Sequence, residues 1–380
     1  MYLQTLKLQN FRNYQKLSVC FPDQVIVLVG ANATGKTNLL EAIRFLSLFK
    51  SWRTSHTPDL IRWGNDFTRV EGLVNDDGQR QNIVSALAKE NTKQSPKRIV
   101  TINGAKILSR KAVGNFLTVL FSPDDLLLVS ANPKDRRRYL DIVLGQIFSR
   151  YHEALQRYNQ ALEQRNALIF ESTGLKPLAR SQAEIWEAQM AAEGSRLIKE
   201  RSLFLEFINQ ELTHDYQSLS HDSSQLKLAY QPALDMPGVE LLLADQQLFS
   251  LLQSSWRKNW SKDLLVKQTT VGPHRDDFVF LLNNRPLVQS GSRGEWRSAV
   301  LALKFREKKF IESRTEKTPA LLLDDVFSEL DFSRQKALVK NLGSAQCFLT
   351  TTDSASLKPV LGRPLSIFNV ADGQISNYHE

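Results

Sequence analysis

Val25-Ile-Val-Leu-Val-Gly30-Ala-Asn-Ala-Thr-Gly35-Lys36-Thr37 decides the fold. Its first five residues form an unbroken aliphatic run, the pattern of a strand buried on both faces. The G-x-x-x-x-G-K-T spacing that follows reads as a phosphate loop, and Leu39, Ile43 and Leu46 share one face of the helix that it opens. Backbone N–H groups of such a loop wrap a β-phosphate, and the helix N-terminus adds its positive end. Lys36 is placed for the β and γ oxygens, and the Thr37 hydroxyl for a Mg²⁺ ion. Gly30, Ala31, Asn32, Ala33, Thr34, Gly35, Lys36 and Thr37 are thus the expected contacts of a nucleotide such as ATP.

A second buried strand, Ala320-Leu-Leu-Leu, runs into Asp324-Asp325-Val-Phe-Ser328-Glu329-Leu-Asp331. Such a strand delivers Asp324 to its C-terminal edge, where a carboxylate holds Mg²⁺ through water. Asp325, next along, is placed to orient or deprotonate the attacking water, with Glu329 as a rival base. Alone, this is an acidic loop after a strand. Paired with the phosphate loop it reads as a hydrolytic centre. Ser290-Gly-Ser292-Arg-Gly294-Glu-Trp-Arg297 precedes another helix, and Ser292 and Gly294 there offer a hydroxyl, an open backbone and a helix dipole to an anion.

Composition narrows the classes further. The chain has 380 residues, 42% hydrophobic and 23% charged, an ordinary globular mix and not a disordered one. Its 49 Lys and Arg against 40 Asp and Glu leave a net charge of +9, which admits nucleic acid as a partner. Two cysteines, Cys20 and Cys347, make no disulfide framework and point to a reducing, cytoplasmic compartment. No apolar run is long enough for a bilayer, and the N-terminus has no signal-peptide core, so no membrane is expected.

The first third reads as α/β. Tyr2, Leu6 and Leu8 alternate with polar residues, and Asn75-Asp-Asp-Gly78 and Asn103-Gly104 predict hairpin turns between Phe67 and Leu108. From Pro133 the period changes. Leu140, Val143, Ile147, Tyr151, Leu155, Tyr158 and Leu162 form one stripe of a long helix, capped by Asn132-Pro133. Gly174–Pro177 breaks it, and a second helix over Ser181–Leu212 completes an antiparallel hairpin. Strand character returns with Phe278, Phe280 and Leu282. The expected architecture is an α/β P-loop ATPase head, residues 1–130 and 262–380, interrupted by a helical arm at 131–261.

This set resembles the RecF family, the recombination-repair branch of the ATP-binding-cassette (ABC) ATPases related to structural-maintenance-of-chromosomes (SMC) proteins. The resemblance covers nearly the full length. It rests on Leu8-Gln-Asn-Phe-Arg12-Asn13-Tyr14, the phosphate loop with Asn38, Phe121-Ser-Pro-Asp124, and Asn132-Pro through Asp141. Gly272-Pro-His274-Arg275-Asp276-Asp277, Ser292-x-Gly294 and Leu323–Asp331 complete it. It implies an ABC-type head of two lobes, with Arg12 and Asn38 near the nucleotide phosphates. It also implies that Ser292 and Gly294 cap the γ-phosphate of a second copy, making an ATP-dependent homodimer. Further implications are sequence-independent binding of gapped duplex DNA, cooperation with RecO and RecR to load RecA, support of SOS induction, and a weak, DNA-stimulated ATPase. Ala33 and Ala131 stand where the family usually has glycine, and Glu295-Trp296 where glutamines are commoner. A transporter ATPase subunit usually lacks so long a helical insertion, and an SMC-like tether needs a far longer arm.

Three features stay open. Arg136-Arg137-Arg138 sits at a helix N-terminus, where cations oppose the dipole. DNA phosphate, Asp141 or a carboxylate in the head compensates them, or they form a solvated face. His274 either meets a neighbouring nucleotide or makes a structural hydrogen bond; no histidine or cysteine spacing suits a metal. Trp256-Arg-Lys-Asn-Trp260-Ser-Lys262 mixes aromatics and cations as nucleic-acid surfaces do, or packs its tryptophans between helices.

Overall fold

The computed structural model describes residues 1–89, 97–130, 132–172, 177–234, 245–327, 330–353 and 365–377. The chain opens with β1 (Tyr2–Phe11), β2 (Tyr14–Cys20), β3 (Val25–Val29), α1 (Lys36–Leu48), β4 (Phe67–Asp76) and β5 (Gln79–Ala88). There follow β6 (Lys97–Ile102), β7 (Ala105–Ile107), α2 (Ser109–Ala112), β8 (Thr118–Phe121), α3 (Leu127–Ser130), α4 (Pro133–Ile147), α5 (Ser149–Glu171) and α6 (Pro177–Ser220). Next come β9 (Leu226–Gln231), α7 (Asp245–Lys258), α8 (Trp260–Val266), β10 (Asp277–Leu282), β11 (Arg285–Pro286) and α9 (Leu287–Ser290). The chain closes with α10 (Arg293–Thr315), β12 (Ala320–Leu323), α11 (Phe332–Leu342), β13 (Cys347–Thr351), β14 (Leu365–Ala371) and β15 (Gln374–Asn377).

Two compact units form. The first comprises Met1–Leu126, Asp215–Asp222 and Val300–Glu380. It holds two six-stranded sheets, one in the order β2-β1-β4-β5-β6-β7 and antiparallel throughout. Alternation sets its faces: Leu3, Leu6, Leu8, Val70, Val74 and Ile83 are buried, while Lys7, Gln9, Lys16 and Arg69 point outward to solvent. The other sheet runs β15-β14-β3-β13-β12-β8, with every strand parallel except the edge strand β15. Helix α1 packs on strands of both sheets through Leu39, Ile43, Phe45 and Leu46, so one hydrophobic core serves both. In the parallel sheet β3 lies between β13 and β14, which explains its uniformly apolar sequence. Five parallel strands deliver their C-terminal ends to one edge, the place where open α/β sheets bind ligands.

The second unit comprises Leu127–His214 and Ser223–Ala299. Its three-stranded sheet, β11-β10-β9, buries Phe278, Phe280 and Leu282 in the expected alternation. Residues 262–299, expected with the head, cluster here, because β10 pairs along its length with β9 (Phe278 with Tyr230, Phe280 with Leu228). The single long helix expected after Pro133 is two. Phe148 turns extended (φ −116°, ψ 103°) and ends α4 with its N–H on Leu144 O at 2.9 Å. The buried face of α5 is then Tyr151, Ala154, Tyr158, Ala161, Arg165 and Ile169, with Leu155 and Leu162 only half-buried. The alanines carry no signal in a stripe read from large residues. Helix α6 spans 44 residues and runs past the expected end at Leu212. Of the expected break at Gly174–Pro177, residues 174–176 lie outside the described residues, as does Ala131. Among the described residues, no helix is long and apolar enough to cross a membrane.

Candidate nucleotide site

Gly30 to Thr37 leaves the C-terminal end of β3 and enters α1. A Cβ on Gly30 would stand 2.3 Å from Val370 O in β14, so the loop can start here only without a side chain. Gly35 is the helix N-cap at φ +111°. No side chain caps the helix and no acidic residue lies in its first turn, which leaves its positive end suited to an anion. Ala33 adopts φ +66°, the left-handed region, where its Cβ costs about 1–2 kcal/mol. Lys36 donates from Nζ to Gly30 O at 2.6 Å and Ala31 O at 2.8 Å, so its ammonium lies over the loop. Burial lowers its pKa, opposed by the charges of Asp325 and Asp324.

Sheet order brings the acidic motif to this loop. Strand β12 lies one strand away from β3, with β13 between. Thr37 donates its hydroxyl to Asp324 Oδ1 at 2.9 Å, and Thr350, near the end of β13, donates to the same oxygen at 3.0 Å. Burial raises the Asp324 pKa, while these two hydrogen bonds and the nearby Arg53 charge pull it back. Asp325 is exposed at φ +52°, its N–H bonded to Thr350 Oγ1 at 2.8 Å. Glu329, the rival base, lies outside the described residues. The donor set of hydroxyl and carboxylate oxygens suits a hard dication such as Mg²⁺: Thr37 would bind it directly and Asp324 through water.

The β1–β2 turn braces the loop. Asn13 Nδ2 donates to Thr34 O at 3.0 Å and Tyr14 Oη to Gly35 O at 3.0 Å, pinning two successive loop carbonyls. Asn38 Nδ2 donates to Asn13 Oδ1 at 2.8 Å, and Arg53 Nη1 to Asn38 Oδ1 at 2.7 Å. Arg12 makes a bidentate pair with Glu41 of α1, from Nε at 2.8 Å and Nη2 at 2.7 Å. Glu41 is fully buried and also accepts from Ser51. Sequence reasoning gave no role to Asn13, Tyr14, Glu41, Arg53 or Thr350. Glu41, a carboxylate within the apolar run Leu39-Leu40-Glu41-Ala42-Ile43, was the available signal.

Ser292 and Gly294 belong to the second unit, at the start of α10. Ser292 and Glu295 form a capping box: the Ser292 N–H donates to Glu295 Oε2 at 2.6 Å, and the Glu295 N–H to Ser292 Oγ at 3.3 Å. The arginine run resolves in this unit too. Arg136 is buried and bidentate to Asp277 at 2.7 Å on both oxygens, and Arg137 donates to Asp276 O at 2.6 Å, whereas Arg138 is exposed. Asp141 instead takes Arg201, at 2.9 Å. His274 hydrogen-bonds Tyr158 Oη at 2.7 Å and Thr269 O at 3.1 Å, a structural role. Trp256 is fully buried with Nε1 on Val271 O at 2.8 Å, and the Trp260 ring lies under Arg180 and Arg165.

The parallel sheet, its phosphate loop and the carboxylate opposite define a P-loop ATPase head of the ABC kind. The sequence profile of the RecF/RecN/SMC N terminal domain matches residues 2–376. The chain belongs to the RecF family. It is 37% identical to the DNA replication and repair protein RecF of Lactococcus lactis subsp. cremoris over 100% of both chains, and 33% identical to that of Bacillus cereus over 99% and 98%. Two solved structures of the recombination mediator protein RecF in the RecFOR pathway, one with ATP and one with ATPrS, superpose with TM-score 0.88. They are 32% identical and cover 100% of this chain and 98% of theirs. An Smc head bound to the C-winged helix domain of ScpA, at 16% identity and TM-score 0.55 over 100% and 98%, shares the fold alone.

Proposed function

We propose that this chain is an ATP-dependent DNA-binding protein of recombinational repair and replication, acting in the cytoplasm as a timed switch. The observation that carries the reading is the uncapped α1 N-terminus facing the Thr37–Asp324 pair, with Lys36 over the loop. ATP phosphates take the loop N–H groups and Lys36, and Mg²⁺ supplies charge neutralisation at Thr37 and Asp324. Asp325 orients the attacking water. Its carboxylate is one methylene shorter than the glutamate usual in transporter cassettes, which favours slow turnover. Ser292 and Gly294 from a second copy cap the γ-phosphate, so ATP closes a two-fold homodimer.

DNA binding draws support from the outward face of the antiparallel sheet. Lys7, Lys16, Arg69, Lys97 and Lys106 are exposed on neighbouring strands, with Glu71 among them paired to Lys7 and Arg69. Such a face binds phosphates with little regard to sequence. The dimer holds duplex beside a single-strand gap while RecO and RecR load RecA, which supports SOS induction. The test is ATP hydrolysis with and without gapped duplex. Stimulation that falls steeply with salt is expected, and hydrolysis indifferent to DNA would refute the reading.

A further inference from the structure

Trp63 stands 97% exposed to solvent. An indole left in water forgoes the burial that a large aromatic ordinarily gains. Its backbone is nevertheless held on both sides. Ile61 bridges to Phe11, Arg62 N–H donates to Asn10 O at 2.8 Å, and Asn65 N–H closes the turn on Arg62 O at 3.0 Å. Gly64 supplies φ +78°, and Lys89 Nζ donates to Asn65 O at 2.6 Å. The ring is thus presented at the tip of a fixed turn.

Cations outnumber acids in the surroundings, where Asp66 is the exposed carboxylate of the turn and its carbonyl accepts from the Lys89 N–H at 2.8 Å. Arg62 precedes the indole, and Lys89 is tied to the turn. Phe67, 41% exposed, opens β4 four residues on and pairs with Ala88, whose other neighbour is the exposed Lys97. Arg69 follows on the same outward face. An anchor for a protein partner sits in a well-packed pocket ringed by contacts that exclude water. An aromatic platform among cations is instead the arrangement that takes a base on the ring and phosphates on the charges.

We infer that Trp63 is a stacking site for an unpaired base of single-stranded DNA, with Arg62, Lys89 and Lys97 holding the adjoining phosphates. The inference rests on the DNA-binding reading and adds a single-strand contact to it. Its test uses the full chain with ATP, a blunt duplex, and the same duplex carrying a thymidine tail. The tail tightens binding by the wild type. Trp63→Ala loses that gain, roughly five- to a hundredfold, the worth of one stacked base. It retains wild-type affinity for the blunt duplex and for ATP, and Trp63→Phe keeps most of the gain. A tail effect intact in Trp63→Ala, or an equal loss on both DNAs, overturns the inference. So does loss of a protein partner with the tail effect preserved, which makes the indole a protein anchor. A wild type that binds duplex yet gains nothing from the tail overturns this inference alone. One that binds neither DNA overturns the DNA-binding reading with it.

Discussion

The Thr37 hydroxyl donates to Asp324 Oδ1 over 2.9 Å, joining residues 287 positions apart in sequence. Thr350 donates to the same oxygen, so the carboxylate is fixed by two hydroxyls and Oδ2 is left outside both bonds. Burial alone would favour a protonated acid. The paired hydroxyls favour the ionised form that a metal-bound water requires.

Substitution of Asp325 is expected to separate binding from turnover. Asparagine tolerates the φ of +52° found there, so Asp325→Asn preserves the backbone. The variant is expected to bind ATP, dimerise and stay on DNA longer while hydrolysing at least a hundredfold more slowly. Lys36→Met is expected not to close at all. Single-turnover hydrolysis and dissociation from DNA check both, and wild-type turnover in Asp325→Asn assigns the base elsewhere.

Ser292→Arg is expected to leave ATP binding by the monomer near normal and to abolish the ATP-driven dimer, read by sedimentation. Loss of the capping box costs the helix about 1 kcal/mol, too little to unfold the unit. Glu295→Gln keeps the reciprocal cap but removes a negative charge beside the proposed γ-phosphate contact. It should tighten the dimer.

Ala33→Gly relieves a left-handed residue in the loop. Unfolding in urea should show a gain of about 1 kcal/mol, and Ala33→Val a loss, because a β-branched side chain resists φ +66° more strongly. Equal stability of all three would show that the loop relaxes around this position.

His274 sets a pH dependence. A carbonyl only accepts, so Nε2 carries the proton shared with Thr269 O, and Nδ1 accepts from the Tyr158 hydroxyl. Burial pushes the pKa down from 6.5 to about 4. The unfolded chain therefore takes up a proton at a higher pH than the folded one. This contribution to stability is complete above pH 6.5 and is lost as pH falls through 4, about 3 kcal/mol at most. Denaturant melts between pH 7 and 4.5 should show a flatter slope for His274→Gln.

Fixed spacings between neighbours in the chain made the nucleotide loop and acidic strand legible, because both motifs are local. Their pairing was read from the two motifs together, but the strand order that achieves it was not legible. That order puts β13 between β3 and β12, and Thr350 looks like any threonine ending a strand. The break at Phe148 was hidden because the leucine stripe keeps helical phase across one extended residue, while the face that packs is built of alanine and tyrosine. Whether Arg136 meets DNA, a carboxylate or solvent stays open in the sequence, because its partner Asp277 is remote along the chain.

The parallel sheet also sets a schedule for synthesis. Strand β3 is complete at Val29, whereas its two neighbours begin at Cys347 and Leu365. At about 5–20 residues per second the ribosome leaves the phosphate loop on an unflanked apolar strand for tens of seconds. During that time the nascent chain depends on shielding it from other chains. A product truncated before β14 never encloses β3 on both sides, so the strand beneath the phosphate loop keeps one edge open.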